Sequence, residues 1–234
     1  MPADLLFARL AEPEEVAVVA PVAGCGLVPT VVDGVGQSHQ LLLGYLIGSI
    51  PSAVWLGLLW GVDLRRGGSG NPGANNARRL GGNALALLVL VVEMGKGAAA
   101  VSIGDLVADE TGAMLAGLGA VAGNVYNLWY RFRGGKGLGI TGGVLLALWP
   151  AVFPLVAVTI ALASALTRST GIGTLVTEGF LVVAALAWAG VGLDNPWGLT
   201  DPGLLLPLAV GVCLMISPRH WRDARRRLSS PARL

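Results

Sequence analysis

Nearly all the charge in this chain is swept into short clusters, and the stretches between them approach the roughly 20 apolar residues that cross a hydrocarbon core about 30 Å thick. Arg65, Arg66, Arg78 and Arg79 form one cluster and Arg131, Arg133 and Lys136 a second. Arg168 stands alone, the stretch from Arg219 to Arg233 closes the chain, and only Arg9 and Lys96 lie elsewhere. Hydrophobic residues make up 54% of the chain and charged residues 13%, and the mean hydropathy is +0.69. That balance excludes an ordinary soluble domain and gives no basis for a nucleic-acid partner. The fold class expected is all-α: a polytopic integral membrane protein of about seven transmembrane helices.

The candidate spans run from Leu41 to Val62, Asn83 to Gly104, Ala113 to Trp129, Leu138 to Trp149, Ala151 to Leu166, Thr174 to Gly192 and Leu204 to Ser217. The fourth and fifth meet at Trp149-Pro150-Ala151-Val152-Phe153-Pro154, where proline interrupts a helix, so one kinked span is the competing count. Charge favours two. With seven spans the basic clusters share one side, while Asp105, Asp109, Glu110, Asp194 and Asp201 occupy the connections on the other. Positive-inside asymmetry then puts the N-terminus outside and the C-terminus in the cytoplasm. Trp129, Trp149, Trp197 and Trp221 fit interfacial belts on this topology.

Residues 1–39 lack the basic n-region of a secretory signal. Val16 to Val32 is apolar but interrupted by Pro21, Gly24, Gly26 and Pro29, so 1–39 is expected to be a poorly ordered extracytoplasmic extension. Residues 40–218 then form the membrane domain and 219–234 a basic cytoplasmic tail. Cys25 and Cys213 have no CxxC spacing, and His39 and His220 lie at opposite ends. No disulfide framework, metal site or resident cofactor is expected.

Two segments on the basic side are rich in glycine, amides and cations: Gly67-Gly68-Ser69-Gly70-Asn71-Pro72-Gly73-Ala74-Asn75-Asn76 and Arg133-Gly134-Gly135-Lys136-Gly137. Glycine lets successive backbone N–H groups converge on one oxyanion, and a nearby Arg or Lys supplies countercharge. The pair reads as a site for two phosphates, or for one held twice. Loop architecture and helix capping remain the bland reading of Ser69, Asn71 and Asn76, and lipid phosphate contact that of Arg78 and Arg79. The second loop lacks Walker spacing, and Arg131 and Arg133 read as inside-facing anchors. Glu93 and Lys96, at i, i+3 in an apolar span, are either site residues or a buried pair locking helices.

The order of these motifs resembles the bacterial acyl-phosphate glycerol-3-phosphate acyltransferases, the PlsY family. Tyr45-Leu46-Ile47-Gly48-Ser49-Ile50-Pro51-Ser52 precedes the Gly68-Ser69-Gly70-Asn71 loop that ends at Arg79. Glu93-Met94-Gly95-Lys96-Gly97, Phe132-Arg133-Gly134-Gly135-Lys136-Gly137, Thr167-Arg168, and His220 with Arg226 follow in family order. The resemblance covers roughly Leu41 to Leu228.

It implies attack of the glycerol-3-phosphate 1-hydroxyl on the carbonyl of acyl phosphate, giving lysophosphatidic acid and inorganic phosphate in phospholipid biosynthesis. The partners implied are acyl phosphate, glycerol-3-phosphate and membrane lipids, with no obligate protein partner. The site would lie at the cytoplasmic face of the bacterial plasma membrane. The catalytic residues carried over are Ser69, Arg79 and Lys136. Substrate binding would fall to Asn71, Gly73, Asn76, Gly134, Gly135, Gly137, Arg168, Thr170, His220 and Arg226. Asn124 and Asn127 stand where the family usually has His and Pro, Ile140 where it has Thr, Gly171 where it has Ser, and Asp223 where it has Asn. These departures leave open a divergent, non-catalytic paralogue acting as an anion transporter or lipid-binding membrane protein. The 35 glycines would also suit a close-packed assembly subunit.

Overall fold

The computed structural model describes residues 27–193, 195 and 198–229. They form eight α-helices: α1 (Leu27–Ser49), α2 (Ser52–Leu59), α3 (Ala74–Val107), α4 (Glu110–Val125), α5 (Leu138–Leu148), α6 (Phe153–Thr167), α7 (Thr170–Val191) and α8 (Leu205–Ser229). The all-α expectation holds. The chain divides into two compact units, 1–34 and 35–234, and the packing described below is that of the second.

A helix break inside the first apolar stretch organises the centre of this unit. Pro51 has no N–H, so α1 stops at Ser49 and leaves carbonyls unpaired in an apolar setting where no water would meet them. Lys96 on α3 donates to Ile50 O at 2.8 Å and Gly48 O at 3.3 Å. The Asn127 amide takes Ser49 O at 2.7 Å. Glu93 neutralises the buried ammonium at 3.0 Å, accepts from Ser52 Oγ at 2.6 Å and accepts from Asn124 Nδ2 at 2.5 Å. One ion pair thus ties the break to α3 and α4. The alternatives left open for Glu93 and Lys96 are settled in part: both are buried, and they join helices.

Glycines set how closely the helices approach. A Cβ at Gly44 or Gly48 of α1 would fall 1.9 or 2.0 Å from a carbonyl oxygen of α4, at Ala116 and Ala120 respectively. One at Gly143 of α5 would fall 1.8 Å from Met94 O of α3. Only backbone against backbone fits at these crossings, as small-residue packing in membranes requires. Within α3, Gly82 adopts φ 80 and ψ −173, a kink that divides 74–81 from the long run 83–107. The sequence-based span start at Asn83 coincides with it.

Around α3, α4 and α5, helix α8 packs on α4 and α7, and α6 covers α7. None of the residues of α6 is buried, and Leu59, Leu87, Leu106, Leu162, Leu166 and Leu214 also face outward. Four stretches, Ser38–Leu59, Ala74–Val107, Thr170–Val191 and Pro202–Ser229, are long and apolar enough to cross a membrane; Leu138–Leu148 and Phe153–Thr167 are apolar but shorter. The latter two are separate helices joined by a turn in which Val152 N donates to Trp149 O at 3.1 Å.

Three expectations need correction or relocation. The 39/40 boundary falls inside α1, whose first turn accepts Pro29 because N–H groups there have no intrahelical acceptor; residues 1–26 lie outside the described ones. The 218/219 boundary falls inside α8, so the basic tail continues a packed helix. Trp149 is fully buried, edge-on to Trp188 at 5.5 Å, rather than interfacial. Trp129 and Trp221 are exposed, and Trp197 lies outside the described residues.

At the end of the bundle away from the basic loops, Glu110 accepts hydrogen bonds from Thr200 Oγ1 and from the amides of Thr200 and Asp201, both at 3.0 Å to Oε2. Slight burial opposes ionisation of this carboxyl, but those donors outweigh it and hold it below the usual carboxylate range. The tie therefore contributes stability above the ordinary Glu pKa and loses it as pH falls through the lowered folded value. Glu110→Gln should flatten that acid limb in thermal melts of the detergent-solubilised protein. Lys96→Met should cost about 3–5 kcal/mol by leaving Glu93 buried and uncompensated. Glu93→Gln/Lys96→Met should recover part of the loss, measured in the same melts.

Candidate active site

A cavity of about 710 Å³ lies between α3 and α5 on one side and α6, α7 and α8 on the other. Its polar wall includes Ser69, Asn71, Gly73, Asn76, Arg78, Arg79, Lys136, Gly137, Thr170, His220, Asp223 and Arg226. Its apolar wall includes Leu145, Phe153, Val156, Ile160, Leu181 and Val212. Leu181 is 11 residues beyond Thr170 on α7, about 16 Å of helix rise, so the cavity runs from the basic rim into a mostly apolar interior.

Asn76 builds the first loop. Its amide donates to Leu64 O at 2.9 Å and Gly67 O at 3.1 Å, and its carbonyl accepts from Ser69 N at 2.8 Å. Gly68 must be glycine: its φ is 59, and a Cβ would come within 2.3 Å of Asn76 Oδ1. Asn76 is therefore committed to holding the loop open, which leaves Ser69 exposed at the cavity rim. Arg79, also exposed, has no hydrogen-bond or ion-pair partner among the described residues and lines the cavity beside Arg78. The guanidinium pair is thus available for a ligand, Arg78 included, although lipid contact is its plainest reading from the sequence.

The second loop is docked before it can bind anything. Gly134 N donates to Val125 O at 3.1 Å and Gly135 N to Asn124 O at 2.9 Å, capping α4. A Cβ at Gly134 would lie 2.0 Å from Asn124 O. From outside, Arg219 donates to Val125 O at 2.6 Å and to Gly134 O and Phe132 O, both at 3.2 Å. Arg65 donates to Arg133 O at 3.1 Å while its guanidinium lies 3.9 Å from the Tyr130 ring centroid. Gly134 and Gly135 consequently lie outside the cavity wall, and only Gly137, at φ 85, and Lys136 reach it. Arg168 is also absent from the wall; it is an exposed, left-handed residue at φ 51 that ends α6.

The Lys136 ammonium forms an ion pair with Asp223. His220 is buried, with Nε2 3.3 Å from Lys136 O, so it lies beneath the loop. Two departures from the family pattern are in contact here. A Cβ at Gly171 would meet Asp223 Cβ at 2.9 Å and Ala224 N at 2.8 Å, so the glycine admits α8 at this crossing. Ile140 is buried in the core, and the neighbouring Thr141 places its residue in the cavity wall instead. Sequence reasoning missed Thr141, Thr177 and Glu178, all cavity residues; a lone carboxylate inside the span Thr174 to Gly192 was the available signal.

The family model described as glycerol-3-phosphate acyltransferase matches residues 39–230, which includes every residue of the cavity wall. The chain belongs to the glycerol-3-phosphate acyltransferase family. It is 40% identical over 188 residues to the glycerol-3-phosphate acyltransferase of Synechococcus sp. (strain JA-3-3Ab), covering 80% of this chain and 87% of the relative. The glycerol-3-phosphate acyltransferase of Symbiobacterium thermophilum is 40% identical over 185 residues, covering 79% and 87%. Among solved structures, the integral membrane glycerol 3-phosphate acyltransferase PlsY (YgiH) in its glycerol 3-phosphate form superposes with a TM-score of 0.66 at 27% identity. That match covers 82% of this chain and 92% of PlsY.

Within this acyltransferase family member, the Lys136–Asp223 pair sets a competition between a carboxylate and any anion drawn to Lys136. Asp223→Asn should tighten binding of inorganic phosphate by roughly tenfold, since a unit charge a few ångströms from the ligand is removed. Isothermal titration of the two proteins in detergent measures it.

Proposed function

We propose that this chain transfers a fatty acyl group from acyl phosphate to the 1-hydroxyl of glycerol-3-phosphate, releasing lysophosphatidic acid and inorganic phosphate. The observation that carries this reading is the joining, in one cavity, of a rim bearing Arg79, Ser69 and Lys136 to an apolar slot lined by Phe153, Val156, Ile160 and Leu181. An acyl phosphate needs both ends of such a space. The glycerol-3-phosphate acyltransferase activity by which the relatives are known supports the same reading, as do PlsY structures in glycerol 3-phosphate and lysophosphatidic acid forms.

Arg79 and Ser69 hold the acyl phosphate, with Asn71 and Gly73 shaping the rim and Asn76 fixing the loop. Lys136 receives the phosphate of glycerol-3-phosphate, with Gly137, Thr170, His220 and Arg226 around it. Gly134, Gly135 and Arg168 act indirectly, through loop docking and helix termination. The glycerol oxygen bonds to the acyl carbonyl carbon, the carbon–oxygen bond to phosphate breaks, and the hydroxyl proton passes to a phosphate oxygen. Asn124 carries no proton in this scheme; its amide is spent on Glu93. Catalysis rests on bringing two anions together and stabilising charge on the carbonyl oxygen.

The arrangement in the membrane is part of the proposal: about seven spans in a bacterial plasma membrane, N-terminus outside, with the rim at the cytoplasmic face. Three contacts support it. Arg65 and Arg219 join the loop around Arg133, while Glu110 joins Thr200 at the end expected outside. Lipid surrounds the outward leucines, the acyl chain enters from it between helices, and no obligate protein partner or resident cofactor is required.

The test mixes purified protein in lipid with palmitoyl phosphate and glycerol-3-phosphate and follows lysophosphatidic acid and inorganic phosphate together. Both products should form in equal amounts, and Arg79→Ala and Lys136→Ala should each lower the rate by roughly a hundredfold or more. Absence of both products from folded protein, with acyl-CoA equally inert, would overturn the reading.

A further inference from the structure

Below the phosphate-binding rim the cavity holds a second polar group that no family motif covers. Glu178 of α7 and Thr141 of α5 both line the cavity and are 7% and 6% exposed. Glu178 Oε2 accepts from Ser217 Oγ of α8. Its other oxygen, Oε1, and Thr141 Oγ1 are buried without a hydrogen-bond partner among the described residues. Neighbouring Thr174 and Thr177 spend their hydroxyl protons on Thr170 O at 2.7 Å and Gly173 O at 2.8 Å of their own helix. They leave Oε1 unanswered. An unsatisfied buried acceptor in an apolar wall costs free energy unless a ligand supplies the donor.

Of the two substrates proposed above, only one supplies it. An acyl chain beyond its carbonyl has no hydrogen-bonding atom, whereas glycerol-3-phosphate carries two hydroxyls. Depth agrees with that choice. Ser217, which holds Glu178, precedes Asp223 by six residues on α8, about 9 Å of rise. Asp223 marks the position of the Lys136 ammonium. A three-carbon polyol phosphate with its phosphate on Lys136 reaches toward Glu178 across that interval.

We propose that Glu178 and Thr141 form the hydroxyl-binding end of the acceptor site, with Glu178 Oε1 accepting a hydrogen bond from the central hydroxyl of glycerol-3-phosphate and Thr141 flanking it. This rests on the acyltransfer reading. The central hydroxyl does not react, so its bond to Glu178 persists through transfer and orients the 1-hydroxyl on the acyl carbonyl. Glu178 is a specificity-determining residue in this scheme, and it takes no proton. A site built around a substrate hydroxyl discriminates against the analogue lacking it, because its own polar groups are then left unpaired.

The experiment compares glycerol-3-phosphate with 3-hydroxypropyl phosphate, which lacks only the central hydroxyl, as acceptors for palmitoyl phosphate with the full chain in lipid. The wild type should favour glycerol-3-phosphate in kcat/KM by about tenfold or more. Glu178→Met and Thr141→Val should each erase most of that preference by lowering the value for glycerol-3-phosphate alone, with the KM for palmitoyl phosphate unchanged. Glu178→Gln, which keeps an acceptor oxygen, should restore most of it. A parallel fall with both acceptors, or a wild type indifferent to the central hydroxyl, would overturn the assignment while leaving acyltransfer intact. A wild type that transfers to neither acceptor would remove the acyltransfer reading and this assignment with it.

Discussion

The Glu93–Lys96 pair is the interaction on which the rest of the architecture depends, because it makes a broken helix tolerable in an apolar interior. An interruption at Pro51 exposes carbonyls that lipid cannot solvate, and each unsatisfied group would cost several kcal/mol. Lys96 meets the one at Gly48 and adds to the Ser52 N–H already on Ile50 O, and Asn127 meets the one between, at Ser49. A buried ammonium must itself be neutralised, and Glu93 does so while gripping Ser52 past the break and Asn124 on α4. Removing any member strands another, so the group acts as a unit rather than as separate bonds. Glu93 also lines the cavity, so the element that fixes the fold forms part of the site wall.

Close helix crossings carry that fixation outward. With α1 held on α4 through Gly44 and Gly48, and α5 on α3 through Gly143, the C-terminal end of α4 is placed beneath the second loop. The loop's own N–H groups at Gly134 and Gly135 then close onto α4, and Arg219 and Arg65 clamp its carbonyls from outside. Lys136 is thereby presented from a rigid turn. Preorganisation of this kind suits the proposed reaction, whose demand is positioning, since an acyl phosphate is already activated.

What the sequence made legible follows from physical scale. Charge clustering and apolar length are properties of many residues, so the all-helical membrane class and the start at Asn83 were readable. Motif order located Ser69, Arg79, Lys136, Thr170, His220 and Arg226, all of which line one cavity. What failed depends on which atoms a side chain meets. Trp149 beside proline has the composition of an interface residue, but its ring packs against Trp188. Gly134 and Gly135 have the pattern of an anion nest, yet their N–H groups close onto α4. The break at Pro51 was visible as a residue, whereas its compensation by Lys96 and Asn127 comes from 45 and 76 positions away in the chain.

Charge in the cavity has a consequence for how two anionic substrates share it. Of the three carboxylates in the wall, Glu93 is offset by Lys96, Glu178 lies at the Ser217 crossing, and Asp223 holds Lys136. The cations at the first loop, Arg78 and Arg79, face no such competitor among the described residues. On the proposed reaction the acyl phosphate meets an uncontested guanidinium pair, while glycerol-3-phosphate must displace a carboxylate to reach its ammonium. Departure of lysophosphatidic acid is favoured by the same arrangement, because Asp223 can reclaim Lys136 as the acceptor's phosphate leaves within that product. The Asn-to-Asp departure at 223, with glycine at 171 admitting the α8 backbone beside it, then tunes acceptor and product affinity and leaves the reacting groups in place.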